Sequence, residues 1–270
     1  MSSGPEWLAP RSLDEALALR GEHGDEATVV AGGTFLGILL NQRLIEPGRL
    51  LSLHAVPGLD GIAANGCLEL GAMTRHRAVE RSAAVQAGWP ALALAFSLVA
   101  SPRVRNQATV GGVLADGDYA SDPPAMFVAL GGVAVVRSVR GEREVPVAEL
   151  IVGHYETTLQ PDELIVAVRV PGGTERAVYR KFRSRSREDR PCVCVAAARC
   201  GGGELRVVVG AVSGRPQLFP ELCRDGDAAE IGRRYAEAIE PISDLRGSAP
   251  NPRRVIAVEV RRALEDLDAA

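Results

Sequence analysis

The stretch "VVAGGTFLGILL", Val29 to Leu40, most constrains what this chain can fold into. Two β-branched residues predict the end of a buried strand, and Gly32-Gly33 then turns the backbone before apolar residues resume. Glycine reaches positive φ without steric cost, so the pair can simply join two packed elements. The missing Cβ atoms can equally let backbone N–H groups approach a phosphate, with Thr34 adding a hydroxyl donor. That second reading needs another, independent anion site in the chain.

"ASPRVRNQATVGGVLADGDYASD", Ala100 to Asp122, offers one. Thr109, Gly111 and Gly112 follow a helical pattern and a short extended segment, and they repeat the chemistry of the first stretch. Two such turns, about eighty residues apart, can clamp a single diphosphate. Asp118 and Asp122 come next; they can accept hydrogen bonds from ribose or flavin-ring donors, or serve as turn formers and caps.

At 270 residues the chain can build one large core or two to three subdomains. Its 46% hydrophobic and 24% charged residues exclude a mainly disordered protein, and a net charge of −3 gives no reason to expect nucleic acid as a partner. The N-terminal residues lack a basic segment leading into an apolar core, and no apolar run nears the ~18 residues of a membrane span. The expected location is the cytoplasm. Cys67, Cys192, Cys194, Cys200 and Cys223 are spaced for neither a zinc site nor an iron–sulfur cluster, and Cys192 and Cys194, two apart on a predicted strand, read as small buried residues on one face. Every basic residue but one is arginine, so the solitary Lys181 invites a reason.

Along the chain, Ser12 caps a predicted helix that ends near Gly21 to Gly24; "ATVVAGG" and "RLLSLHAV" then read as strands, a βαβ-like start. "LDGIAANGCLELGAMTRHRAVERS" predicts a hairpin at Asn65-Gly66 and a helix from Thr74, with His76 as a capping residue at the helix start. "PALALAFSLVASPRVRN" predicts an amphipathic helix stopped at Ser101-Pro102. A helix, a turn at Gly131-Gly132 and a pair of strands follow, and "DELIVAVRVPGG" ends at the best domain boundary, Pro171-Gly172-Gly173. Beyond it the pattern predicts three strands, a charged loop "RSRSREDR" and two helices.

"AGGTFL", "ELGAMTRHRAVERS", "PRVRNQATVGG", "LQPDELIVAVRVP" and "YRKFRSRSREDRPCVCVAA", in this order and spacing, resemble the FAD-binding medium subunit of the molybdenum hydroxylases, the carbon monoxide dehydrogenase and xanthine dehydrogenase group. The resemblance implies an α+β protein. Residues 1–57 and 58–172 would form the two lobes of an FAD-binding domain of the vanillyl-alcohol oxidase (PCMH) type. Residues 173–270 would form an α+β C-terminal domain with an antiparallel sheet, of the carbon monoxide dehydrogenase flavoprotein type. Ala31, Gly32, Gly33, Thr34, Phe35 and Leu36 match the first FAD diphosphate loop, and Thr109, Val110, Gly111 and Gly112 the second. Asp122 matches an acid that touches the cofactor, and Ile165 an apolar residue against the flavin. Lys181 matches a lysine close to the isoalloxazine ring, where a compact, movable ammonium would stabilise negative charge on the reduced ring.

Three positions depart from the resemblance. Val113 stands where relatives carry asparagine, Tyr119 where proline is common, and Phe35 where serine or aspartate is frequent. The lost amide predicts a less firmly fixed second loop. The histidines all lie outside the first loop, so the implied FAD is non-covalent. No hydrolytic triad or other catalytic set is legible, and none is assigned.

The function implied is electron transfer within a multi-subunit molybdenum hydroxylase. A large subunit would carry the molybdenum cofactor, a small one two [2Fe–2S] clusters, and the FAD here would pass electrons to NAD, a quinone or oxygen; the family suggests a dimer of heterotrimers. Two other roles fit the residues: a stand-alone FAD oxidoreductase using Tyr119, His154 or Tyr155 for proton transfer, and a flavin-free assembly subunit.

Overall fold

In the computed structural model, which describes residues 4–186, 188–242 and 252–269, the first Gly-Gly turn leaves a small parallel sheet. Its strands are β1 (Glu6–Leu8), β2 (Ala27–Val30) and β3 (Arg49–Ser52), in the order β1-β3-β2. Helix α1 (Leu13–His23) joins β1 to β2, and α2 (Leu36–Asn41) follows the turn. Ser12 caps α1 by accepting from the Glu15 N–H at 3.1 Å, and Ala16 and Leu17 enter the core. The predicted βαβ start is present, although the strand expected over "RLLSLHAV" ends at Ser52.

The next sheet is antiparallel throughout. It contains β4 (Ile62–Ala64), β5 (Leu68–Gly71), β6 (Val133–Ser138), β7 (Gly141–Pro146) and β10 (Leu164–Val170), ordered β4-β5-β10-β6-β7. Between β5 and β6 run α3 (His76–Arg81), α4 (Ala83–Gly88), α5 (Pro90–Ser97), α6 (Pro102–Arg105), α7 (Val110–Ala115) and α8 (Pro123–Ala129). After β7, α9 (Val147–Leu150) leads to a two-stranded hairpin of β8 (Ile151–Gly153) and β9 (Glu156–Thr157). The helix predicted to reach Ser101 ends at Ser97, because Ala100 takes a positive φ of 38°. Pro102 then opens a separate turn at its first position, where its missing N–H costs nothing.

The last sheet holds four strands where three were expected: β11 (Thr174–Phe182), β12 (Val193–Cys200), β13 (Leu205–Gly210) and the short β14 (Gln217–Leu218). Its two faces do different work. Val193, Val195 and Ala197 of β12 pack under α10 (Ala228–Ala238) and α11 (Pro252–Ala269), while Cys194, Ala196 and Ala198 join the core around α5 and α8. Alternation along one strand thus fuses the C-terminal sheet to the middle of the molecule. Asn251, expected to open the last helix, lies outside the described residues, as does Arg187 of the charged loop. Of the two cysteines expected to be buried on one strand, Cys194 is buried, while Cys192 is only half-buried and precedes β12.

Candidate functional site

A cavity of about 650 Å³ runs between the first sheet, the α6–α8 segment and the start of β10. Both glycine turns line it. Gly32 and Gly33 divide the two roles considered for the pair. A Cβ on Gly32 would fall on the carbonyl oxygen of Gln107 and within 2.9 Å of the Ala108 Cα, so this glycine lets the first turn pack on the chain entering the second. Gly33 has a φ of 67° and no atom within 4 Å of a built Cβ. Its face is open to the cavity.

The N–H groups of Gly32, Gly33, Thr34 and Phe35 have no acceptor among the described residues. Four consecutive unsatisfied amides on a cavity wall are a site for an anion. The second turn differs from expectation here. The Val110 N–H donates to the Thr74 carbonyl at 3.0 Å, that of Gly111 to the Ala72 carbonyl at 2.7 Å, and that of Gly112 to the Thr109 hydroxyl oxygen at 3.2 Å. These amides are consumed because α7 starts at once and needs a cap. What the second turn offers instead is the Thr109 hydroxyl proton and a Cβ-free wall, with a Cβ on Gly112 reaching within 3.9 Å of Ala31. Val110 itself is wholly buried and does not line the cavity.

His76 does not cap its helix, as the sequence suggested. Arg75 occupies the N-cap position without a side-chain bond, and the buried His76 ring donates from Nε2 to the Thr109 carbonyl at 3.1 Å. Burial pushes the imidazole down to about 4, so it stays neutral. Its Nδ1 has no partner. His76 therefore braces the residue that begins the second turn.

The acids form the polar wall. Asp118 Oδ2 pairs with Arg190 at 2.7 Å, which anchors the end of the charged loop beside the second turn. Asp116, passed over in the sequence, also lines the cavity, and burial, reinforced by the neighbouring Asp118 charge, pushes its carboxyl up to about 7. Only the crowding of acids in "ADGDYASD" signalled it. Asp122 is held from behind: Tyr179 donates to Oδ1 at 2.6 Å and Lys181 to Oδ2 at 2.9 Å. Burial raises the Asp122 carboxyl, and Lys181 and then Tyr179 oppose it.

Lys181 also donates to the Leu98 carbonyl at 2.8 Å, and its side chain is 1% exposed. It is neither a surface residue nor a movable ammonium; the cavity feels it through Asp122. Ile165 sits at a β-bulge in β10, which turns its side chain to the cavity wall. The departures are filled positions. Val113 packs against the main core, Tyr119 is buried with its carbonyl accepting from the Ala211 N–H at 3.1 Å, and Phe35 stacks on Tyr155.

Comparison with known proteins agrees with this geometry. Residues 2–173 match the family described as the FAD binding domain in molybdopterin dehydrogenase. The carbon monoxide dehydrogenase medium chain of Hydrogenophaga pseudoflava is 34% identical over 275 residues, covering 96% of this chain and 95% of that one. The 6-hydroxypseudooxynicotine dehydrogenase complex subunit alpha of Paenarthrobacter nicotinovorans is 31% identical, covering 96% and 93%. Among solved structures, carbon monoxide dehydrogenase from Hydrogenophaga pseudoflava superposes with a TM-score of 0.92 at 30% identity, covering 100% of this chain and 99% of that one. Quinoline 2-oxidoreductase from Pseudomonas putida 86 gives a TM-score of 0.90 at 28% identity, with the same coverage.

Proposed function

The chain belongs to the family of FAD-binding domains of molybdopterin dehydrogenases, and from that premise we propose that it is the electron-transfer flavoprotein subunit of a molybdenum hydroxylase. The observation that carries the reading is the row of four free amides at Gly32 to Phe35, packed beside the second turn with its Thr109 hydroxyl on the wall of a cavity of nucleotide size. When bound, FAD would supply the redox chemistry that links a partner's [2Fe–2S] clusters to an external electron acceptor.

The chain's own residues position and insulate. The first turn, Ala31 to Leu36, holds the diphosphate through its amides; Thr109, Gly111 and Gly112 adjoin it on the same wall, with Val110 supporting from the core. Asp118 and Asp122 provide acceptors for ribityl or ring donors, Ile165 gives an apolar wall, and Lys181 sets the charge of Asp122 from behind. No side chain here needs to act as an acid or base for electrons to pass. The division into lobes 1–57 and 58–172 and a C-terminal domain 173–270 follows the same reading.

The relatives are named for carbon monoxide, nicotine, caffeine and xanthine, although these subunits align with this chain almost end to end or over most of its length. Such spread supports a substrate site on the large molybdenum subunit; a small iron–sulfur subunit between it and the flavin, a dimer of heterotrimers and a cytoplasmic location belong to the same proposal. Among the described residues no helix is long and apolar enough to cross a membrane. The test is purification of the tagged chain from its native cell. Two further chains with FAD, molybdenum and iron in fixed ratio are expected, with bleaching of the flavin on adding the substrate of the large subunit; a lone, substrate-reducible flavoprotein contradicts the proposal.

A further inference from the structure

The chain contains five Phe, four Tyr and two Trp residues, yet three of these aromatics and one of its four histidines meet at a single place beside the cavity. Phe35, the last residue of the first turn, stacks on Tyr155 with ring centroids 5.1 Å apart and planes 19° from parallel. Tyr155 stacks in turn on His154 at 4.1 Å and 30°, and the Tyr119 ring meets His154 edge-on at 4.6 Å. The series runs from the first glycine turn, over the tip of the β8–β9 hairpin, to the segment after the second.

The backbone is strained to make this arrangement. Tyr155 has a φ of 59°, a left-handed conformation that an L residue with a bulky side chain adopts only at a cost. Consecutive side chains of an extended strand point to opposite faces, so His154 and Tyr155 can stack only because the chain leaves that geometry between them. The tip is tied down as well: the Tyr155 N–H donates to the Gly117 carbonyl at 3.0 Å, and a Cβ on Gly117, whose φ is 58°, would come within 3.1 Å of the Glu156 nitrogen. A glycine at 155 would relieve the strain, and the chain carries a half-exposed tyrosine there instead. Strain kept in place of an available relief marks a position with a task.

We propose that Phe35, Tyr155 and His154 form an aromatic clasp that joins the two glycine turns on the side of the cavity and sets how slowly FAD leaves the chain. The proposal rests on the assignment of the cavity to FAD. Phe35 lines that cavity beside the free amides of the first turn, so a cofactor held there lies against this ring, and the stack on Tyr155 and His154 holds the ring in place. Aromatic pairs of this geometry add enough to slow such a movement about tenfold per ring pair.

The experiment measures the rate of FAD release from the loaded full-length chain by the rise of free flavin fluorescence on dilution, for wild type, Tyr155→Gly, Tyr155→Phe and Phe35→Ala, beside thermal unfolding of each apo chain. Tyr155→Gly is expected to raise the release rate about tenfold while leaving the apo chain as stable as wild type or more so. Tyr155→Phe is expected to restore slow release, because the ring and not the hydroxyl makes the stack. Phe35→Ala should match or exceed Tyr155→Gly. Unchanged release in both ring-removing variants overturns the clasp and leaves the FAD assignment standing. Failure of the wild-type chain to take up FAD overturns both.

Discussion

At the residue scale, the two glycines of the first turn are chemically identical and structurally opposite. Gly32→Ala is expected to destabilise the apo fold, because its Cβ lands on the Gln107 carbonyl and backbone cannot yield as a flexible side chain would. Gly33→Val meets no protein atom but strains a positive φ and fills the space in front of the free amides, so it should lose FAD while the chain still folds. Denaturation midpoints and flavin content, measured together on the two variants, check the contrast. The motif was legible in the sequence; the division of labour was not, since it depends on which glycine faces Gln107, a residue about seventy-five positions away. Asp116 was less legible still. Its carboxyl titrates near 7 in the folded chain against an ordinary value of 3.8, so between those values the folded state holds a proton that the unfolded state has released. Its contribution to stability therefore falls as pH rises through that window, and Asp116→Asn should flatten the dependence, as pH-resolved chemical denaturation would reveal. Next to a diphosphate the neutral acid is also the better neighbour, which predicts tighter FAD binding below pH 7 than above it.

At the element scale, β11 acts as a clamp. The C-terminal sheet turns Tyr179 and Lys181 toward the second turn, and both end on Asp122, so an acid on the cavity wall is fixed by a strand that does not line it. Lys181→Met leaves the Asp122 carboxylate buried without its cation and is expected to cost about 3 to 5 kcal/mol in urea denaturation. Adding Asp122→Leu to that variant should recover most of the loss in stability and none in FAD affinity. The lysine stood out in the sequence for its rarity, but its partner could not be read there, because pairing across fifty-nine positions is a matter of sheet register. The same limit applies to His76: helix spacing placed it at a helix start, while only the tertiary contact with the Thr109 carbonyl shows what it holds. His76→Gln keeps a side-chain donor for that carbonyl and should retain FAD, whereas His76→Leu leaves it the Val113 N–H alone, removes the tie between α3 and the second turn, and should weaken FAD binding. Parallel FAD titrations of the two variants distinguish these outcomes.

At the scale of the whole molecule, alternation and turn chemistry predicted the βαβ-like start, the hairpins of the middle and the strands after Gly173, because those signals are local; the antiparallel C-terminal sheet was implied by the family resemblance. How the last sheet packs was not local. β12 reads as one continuous apolar run, and only the structure shows that it carries helices on one face and the wall behind the cavity on the other. The account makes the cavity an FAD site built from two unequal turns: one presents amides, the other a hydroxyl and a bare wall. The most direct measurement is titration of FAD into the purified full-length chain, followed by the flavin absorption spectrum, with Gly33→Val alongside. One FAD per wild-type chain and little or none in a folded Gly33→Val chain is the predicted result. A folded wild-type chain that takes up no FAD, or a variant that takes up as much as wild type, contradicts the account.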